Sequence, residues 1–156
     1  MKLKHFLTVA DGVEILVSDD QTYMTFISDL DVCTDGKGPS HGDDYHLTQT
    51  AYSPSLNADK DYYIVLHPKM RTGVHPVVLG CMGRVTDLRT FRWHWGVWGE
   101  VGPPDKTGEC AIVLAKHLNP AVSANIGDSA KIYLYECWPG VPAKVGDKQY
   151  KLIPAG

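Results

Sequence analysis

The sequence predicts a mainly β protein with one or two helices, an α+β chain dominated by sheet, and three observations carry that expectation. Eight short segments rich in β-branched and aromatic residues are each bounded by turn formers: Phe6–Ala10, Val13–Val17, Thr22–Ile27, Tyr62–His67, Val77–Met82, Leu88–Trp98, Lys131–Cys137 and Tyr150–Ile153. The 15 glycines and 10 prolines are spread between these segments as punctuation, with no repeat, low-complexity tract or charged linker. One stretch carries both start and stop signals of a helix, from Glu109 to His117 or Leu118, entered through Asp105-Lys106-Thr107-Gly108 and stopped by Asn119-Pro120. Apolar residues surround most of that rod, which predicts burial on more than one side.

The 156 residues fit a single domain spanning 1–156. With 44% hydrophobic and 21% charged residues, the composition allows an ordinary packed core. A net charge of −3 with no run of Lys or Arg argues against a nucleic-acid binder, which needs a basic surface. Residues 1–50 hold nine acids against three bases, so this part is acidic and suits a cationic ligand, or simply solvates its turns. The N-terminal apolar run is too short and interrupted for a signal-peptide core, and no stretch approaches the ~20 apolar residues that span a bilayer. The expectation is therefore a chain that stays off the membrane and is cytoplasmic as synthesised, with release or delivery outside the cell left open. Its oligomeric state is not legible.

Cys33, Cys81, Cys110 and Cys137 lie 48, 29 and 27 residues apart, without metal-finger spacing. The last three sit in apolar or aromatic runs and read as buried thiols. The seven histidines show no ligand spacing, so neither a metal nor another cofactor is expected. Trp93 and Trp95 read as core and Trp138 as a strand-end anchor, which leaves Trp98 as the plausible sugar platform.

Three stretches could carry chemistry. In Gly99-Glu100-Val101-Gly102-Pro103, a strand ends at a glycine-rich turn, and nine positions after Glu100 the expected helix begins at Glu109. Two carboxylates facing one cleft are what glycoside hydrolysis requires. Alternation along an unbroken strand puts Arg92, His94, Trp98 and Glu100 on one face. Trp98 beside Glu100 would raise its pKa and make it the general acid, whereas the first helical turn would keep Glu109 ionised as the base. The structural alternative is a solvated strand-end acid and a helix-favouring acid.

In Asp29-Leu30-Asp31, both acids fall on one face of an extended strand, and Asp35-Gly36 signals a turn. The spacing falls short of a calcium loop, and the readings are a sugar-binding patch, plain turn chemistry or, more weakly, a metal set of Asp29, Asp31 and Asp35. The third stretch, Tyr45 to Pro54, offers Gln49 and Tyr52 as hydrogen-bonding and stacking groups within a long polar connection from Ser28 to Pro54.

The order of these motifs resembles the chitosanases of glycoside hydrolase family 75: Asp29-Leu30-Asp31 and Asp35-Gly36, then Gln49-Thr50-x-Tyr52, Tyr63-Ile64-Val65-Leu66, Gly99-Glu100-x-Gly102-Pro103 and Gly108-Glu109-x-Ala111. The likeness covers about 26–118, leaving 1–25 and 119–156 as additional strands. It implies a compact six-stranded β-barrel of double-psi character and hydrolysis, with inversion, of polymers of β-1,4-linked glucosamine. It also implies Glu100 and Glu109 as the catalytic pair, with Asp29, Asp31, Gln49, Trp98, His94 and Tyr52 as substrate-binding residues. Position 100 holds Glu where the family pattern has Asp, which puts the substrate in question more than the reaction. A peptidoglycan-degrading phage or effector enzyme, and a catalytically silent carbohydrate-binding or structural module, are the alternative readings.

Overall fold

A computed structural model describes residues 1–42, 46–72 and 76–154; Asp43, Asp44, Tyr45 and His75, which enter the sequence reading, lie outside them. Ten strands and one α-helix follow in chain order. They are β1 (Leu3–Val9), β2 (Val13–Ser18), β3 (Met24–Cys33), β4 (Tyr63–Leu66), β5 (Cys81–Asp87), β6 (Trp93–Val101), β7 (Glu109–Ala111), α1 (Ile112–Leu118), β8 (Asp128–Pro142), β9 (Lys144–Val145) and β10 (Lys148–Gln149).

The protein is mainly β, and six strands close into a barrel in the order β3-β7-β4-β6-β5-β8, with β8 returning to β3. Closure leaves no free edge within the ring. The pairs β3·β7 and β4·β6 are parallel, whereas β4·β7, β5·β6, β5·β8 and β3·β8 are antiparallel. The β1–β2 hairpin attaches to β3 outside the ring through Leu16↔Thr25 and Val17↔Met24. β8 supplies one of the six barrel strands, so the ring cannot close without residues beyond 118.

The interior is filled by large side chains with glycines opposite them. Gly83 and Gly96 face each other across β5 and β6, and a methyl group on Gly83 would stand 2.6 Å from both Ile64 Cδ1 and Trp98 Nε1. The missing side chains make room for Ile64 and Trp98. Phe26 stacks on Tyr135 at 4.9 Å and meets Trp98 at 6.3 Å. Trp98 is fully buried, with Nε1–H donating to the Glu136 carbonyl.

Several boundaries move from their expected places. The segment expected as a strand from Leu88 to Trp98 begins with a turn, in which Asp87 Oδ1 accepts from Arg89 N–H and Phe91 takes a φ of 61°. β6 starts at Trp93 and runs on to Val101. The expected strand Val77–Met82 is displaced to Cys81–Asp87, and Tyr150–Ile153 contributes only a bridge from Ile153 to Leu79. Trp93 is 46% exposed and stands edge-on to Trp95 on the outer surface, with the Arg84 guanidinium over both rings, so Trp93 is not core.

All four cysteines are free and buried, with Cys81 and Cys137 sulfurs 3.7 Å apart across β5 and β8. We expect an aromatic disulfide reagent to titrate four thiols in denaturant and none rapidly in the native protein. Fast reaction of Cys110 or Cys137 without denaturant would contradict this packing.

Candidate functional site

Asp31 lies near the end of β3, Glu109 at the start of β7 and Glu100 near the end of β6, with β4 between the last two. Glu109 belongs to β7, not to the first turn of a helix: α1 begins three residues later at Ile112. The cause is local pairing. Glu109, Cys110 and Ala111 register in parallel with Asp31, Val32 and Cys33 of β3, while Cys110 and Glu109 pair with Ile64 and Val65 of β4. A strand hydrogen-bonded on both edges outweighs the helical propensity of three residues. The entry turn is tight, because a Cβ on Gly108, whose φ is +87°, would lie 2.6 Å from the Asp29 carbonyl oxygen and from Ser28 Oγ.

Glu100 reaches the same place through a bulge. Ile64 pairs with Trp98, but the next residue, Val65, pairs with Glu100, so Gly99 is the extra residue. Ile64 and Val65 point to opposite faces, hence so do Trp98 and Glu100. The bulge therefore overturns the expected Trp98–Glu100 adjacency and sends Trp98 into the core, where it has no surface to offer a sugar. Asp31, Glu109, Val65 and Glu100 form one cross-strand row, on one face of the sheet. Glu100 and Glu109 are two strand spacings apart, about 9.6 Å between backbones. The Glu109 side chain reaches toward the segment that follows Glu100, since a Cβ on Gly102 would come 3.4 Å from Glu109 Oε1.

A cleft of about 530 Å³ opens beside this row, lined by Asp31, Asp35, Asp105, Lys106, Glu109 and Asn125 among others. Four acids against one base make it a site for a cationic or strongly hydroxylated ligand. Asp35 is held by Leu47 N–H, which donates to its Oδ1 at 2.9 Å, and by Tyr63, whose hydroxyl donates to its carbonyl at 2.8 Å. Burial pushes the Glu109 carboxyl up to about 7, with Asp31 and Asp35 adding to the rise and Lys106 and the Cys33 thiol opposing it. The helix-dipole argument for an acidic Glu109 fails because no helix begins there.

Glu100 is only 4% exposed and does not line the cleft. Its Oε1 accepts from the backbone N–H of Ala51 at 2.8 Å and of Val101 at 3.0 Å. Its buried Oε2 has no donor. Burial holds the Glu100 carboxyl at about 7 against the pull of those two N–H groups, and contact with the Asp35 side chain raises it further.

The remaining expected binding residues divide. Asp31 lines the cleft, and burial raises its carboxyl. Asp29 sits at the β3–β8 irregularity beyond the cleft lining; burial and Asp31 push it up to about 6. Gln49 is exposed on the 46–58 connection. Tyr52 is buried, edge-on to Tyr150, and its hydroxyl accepts from Lys151 N–H, so it clamps the C-terminal segment and leaves no face for stacking. His94 lies six residues from Glu100 along β6, about 20 Å away. It stacks on Tyr62 at 3.9 Å, so it does not serve this cleft. Among the described residues no three His, Cys, Asp or Glu side chains are arranged to hold a metal ion, so a metal set of Asp29, Asp31 and Asp35 has no geometry behind it. No helix among them is long and apolar enough to cross a membrane.

Lys106 and Asn125 are cleft residues that the sequence reading passed over, and Asp35 entered it only as a turn signal and a member of the weak metal set. Alternation would have flagged Asp35, which continues the face of Asp31 and Cys33; nothing in the local sequence flags Asn125.

These carboxyls give the fold a pH dependence. Glu100 and Glu109 bind protons up to about pH 7 when folded, against an ordinary 4.5, so between these values the unfolded chain loses protons first and stability falls as pH rises. Asp20 and Asp128, whose carboxyls are held below 3.8, act only at lower pH. The urea midpoint is expected to be higher at pH 5 than at pH 8, with the difference reduced in Glu109→Gln; a midpoint that rises over this interval would contradict the burial of these groups.

A closed six-stranded barrel with an acidic cleft where β3 ends and β7 begins defines the class: a barrel protein whose candidate site is built from carboxyls. The sequence matches no protein-family model and no curated protein.

Proposed function

We propose that this protein is a glycoside hydrolase of the family 75 chitosanase type, cleaving β-1,4-linked aminosugar polymers with two carboxyl groups and no cofactor. The observation that carries this reading is the row Asp31, Glu109, Val65, Glu100 beside a polar cleft. Two strand spacings allow the carboxyls to stand within the roughly 6.5–9.5 Å that admits a water for inversion. An acidic cleft also suits the ammonium groups of glucosamine.

In this mechanism a protonated carboxyl gives its proton to the glycosidic oxygen as the C1–O bond breaks. Water attacks C1 from the opposite face and releases its proton to Glu109, which Lys106 biases toward the ionised form. Glu100, protonated up to about pH 7, is the proton source. Release of reducing ends from chitosan and from purified peptidoglycan, in the wild type and in Glu100→Gln and Glu109→Gln, tests the reading and names the polymer. One observation favours the silent-module alternative: Glu100 is shielded from the cleft. Binding of chitosan without hydrolysis would choose it.

A further inference from the structure

We propose that Asp35 is the carboxyl that faces the substrate as general acid, and that Glu100 stands behind it as a buried partner sharing its proton. The inference rests on the glycosidase reading and assigns the acid role within it.

Three observations lead here. Glu100 is 4% exposed and absent from the cleft lining, whereas Asp35 lines the cleft. Glu100 Oε1 is saturated by the Ala51 and Val101 N–H groups, while its buried Oε2 has no donor. The chain brings the Asp35 turn to Glu100, since a Cβ on Gly36 would lie 3.4 Å from Thr50 Cγ2 and the next residue, Ala51, donates its N–H to Glu100, and Asp35 acts on the Glu100 carboxyl. Two ionised carboxylates cannot satisfy one another, since both only accept. One proton between them turns Oε2 into a donor and removes both the orphaned oxygen and the repulsion.

The surroundings hold that proton in place. Leu47 N–H orients Asp35 through Oδ1. The Tyr63 hydroxyl is spent on the Asp35 carbonyl at 2.8 Å and reaches Cys33 Sγ at 3.3 Å, leaving it no bond for Glu100. Glu109 from β7 adds negative charge, and Lys106 acts on Asp31 and Glu109. In the reaction the shared proton passes from Glu100 Oε2 to Asp35, which gives it to the glycosidic oxygen as the C1–O bond breaks, leaving both carboxylates ionised. Water adds to C1, its proton goes to Glu109, and return of that proton through solvent resets the pair.

The longer side chain at position 100 fits this arrangement. A Glu lying behind the cleft can reach Asp35 where a shorter acid would fall about 1.5 Å short.

Asp35→Asn tests the pairing, because its amide can still accept from Leu47 N–H through oxygen while offering N–H to Glu100 Oε2. Carbon-13 NMR of carboxyl-labelled glutamate, with Glu100 assigned by its loss in Glu100→Gln, should show the Glu100 midpoint falling from about 7 by at least about one pH unit in Asp35→Asn. An unmoved midpoint overturns the pairing. On the cleaved polymer, Asp35→Asn should lower kcat about 100-fold or more with little change in KM. Near-wild-type kcat in Asp35→Asn, beside a dead Glu100→Gln, would overturn delivery by Asp35 while leaving the glycosidase reading intact. A wild type that cleaves neither chitosan nor peptidoglycan would sink that reading and the delivery step together, with the NMR arm still deciding the shared proton.

Discussion

Glu109→Gln is expected to lower kcat/KM on the cleaved polymer by about 10³-fold, within the range general acid–base groups contribute. Glutamine keeps the shape of the side chain beside Gly102 and between Asp31 and Val65, but it cannot take a proton from water. The loss should fall on kcat, since activation of water matters only as the bond to C1 forms. Because burial already disfavours the charged form of Glu109, its neutral replacement should leave the urea midpoint at pH 8 unchanged or raised. An active Glu109→Gln would remove the base from the account; an inactive variant with a lowered midpoint would point to damage to the fold instead.

Trp98→Ala is expected to destabilise the protein by about 3–5 kcal/mol, a large share of the total stability of a domain this size. The ring fills the space that Gly83 leaves, packs on Phe26 and satisfies the Glu136 carbonyl through Nε1–H. Its removal opens a cavity and deletes a buried hydrogen bond. Urea denaturation measures the effect. A cost below about 1 kcal/mol, accompanied by weaker polymer binding, would return Trp98 to the surface and contradict the bulge at Gly99.

That bulge shows where reading the sequence stops. The β class and the helix ending at Leu118 follow from segment composition, turn residues and Asn119-Pro120, which act locally, whereas the barrel is implied by the family resemblance alone. Alternation also placed Glu100 and Trp98 on one face, and would have been right for an unbroken strand. A single extra residue, visible only in the pairing Ile64↔Trp98 then Val65↔Glu100, reverses one of them. The same holds for Glu109. Its helical neighbours made a helix start plausible, but β3 and β4 offer two ladders that no local signal announces.

Proximity of distant residues is the part of the site that sequence could not give. Asp35 looks like turn chemistry, yet the fold places it in the lining of the cleft. His94 and Tyr52 have suitable chemistry and are drawn elsewhere, one by Tyr62 and the other by Tyr150 and Lys151. Glu100 and Glu109 are only nine positions apart, yet the row that unites them runs through Val65 of the distant β4.

The central claim is two-carboxylate hydrolysis with inversion, and real-time proton NMR of the first product released from a glucosamine oligomer tests it most directly. The account predicts that the α-anomer appears first and then mutarotates. A β-anomer as first product would mean retention and a closer pair of carboxyls, and no product at all would contradict the claim outright.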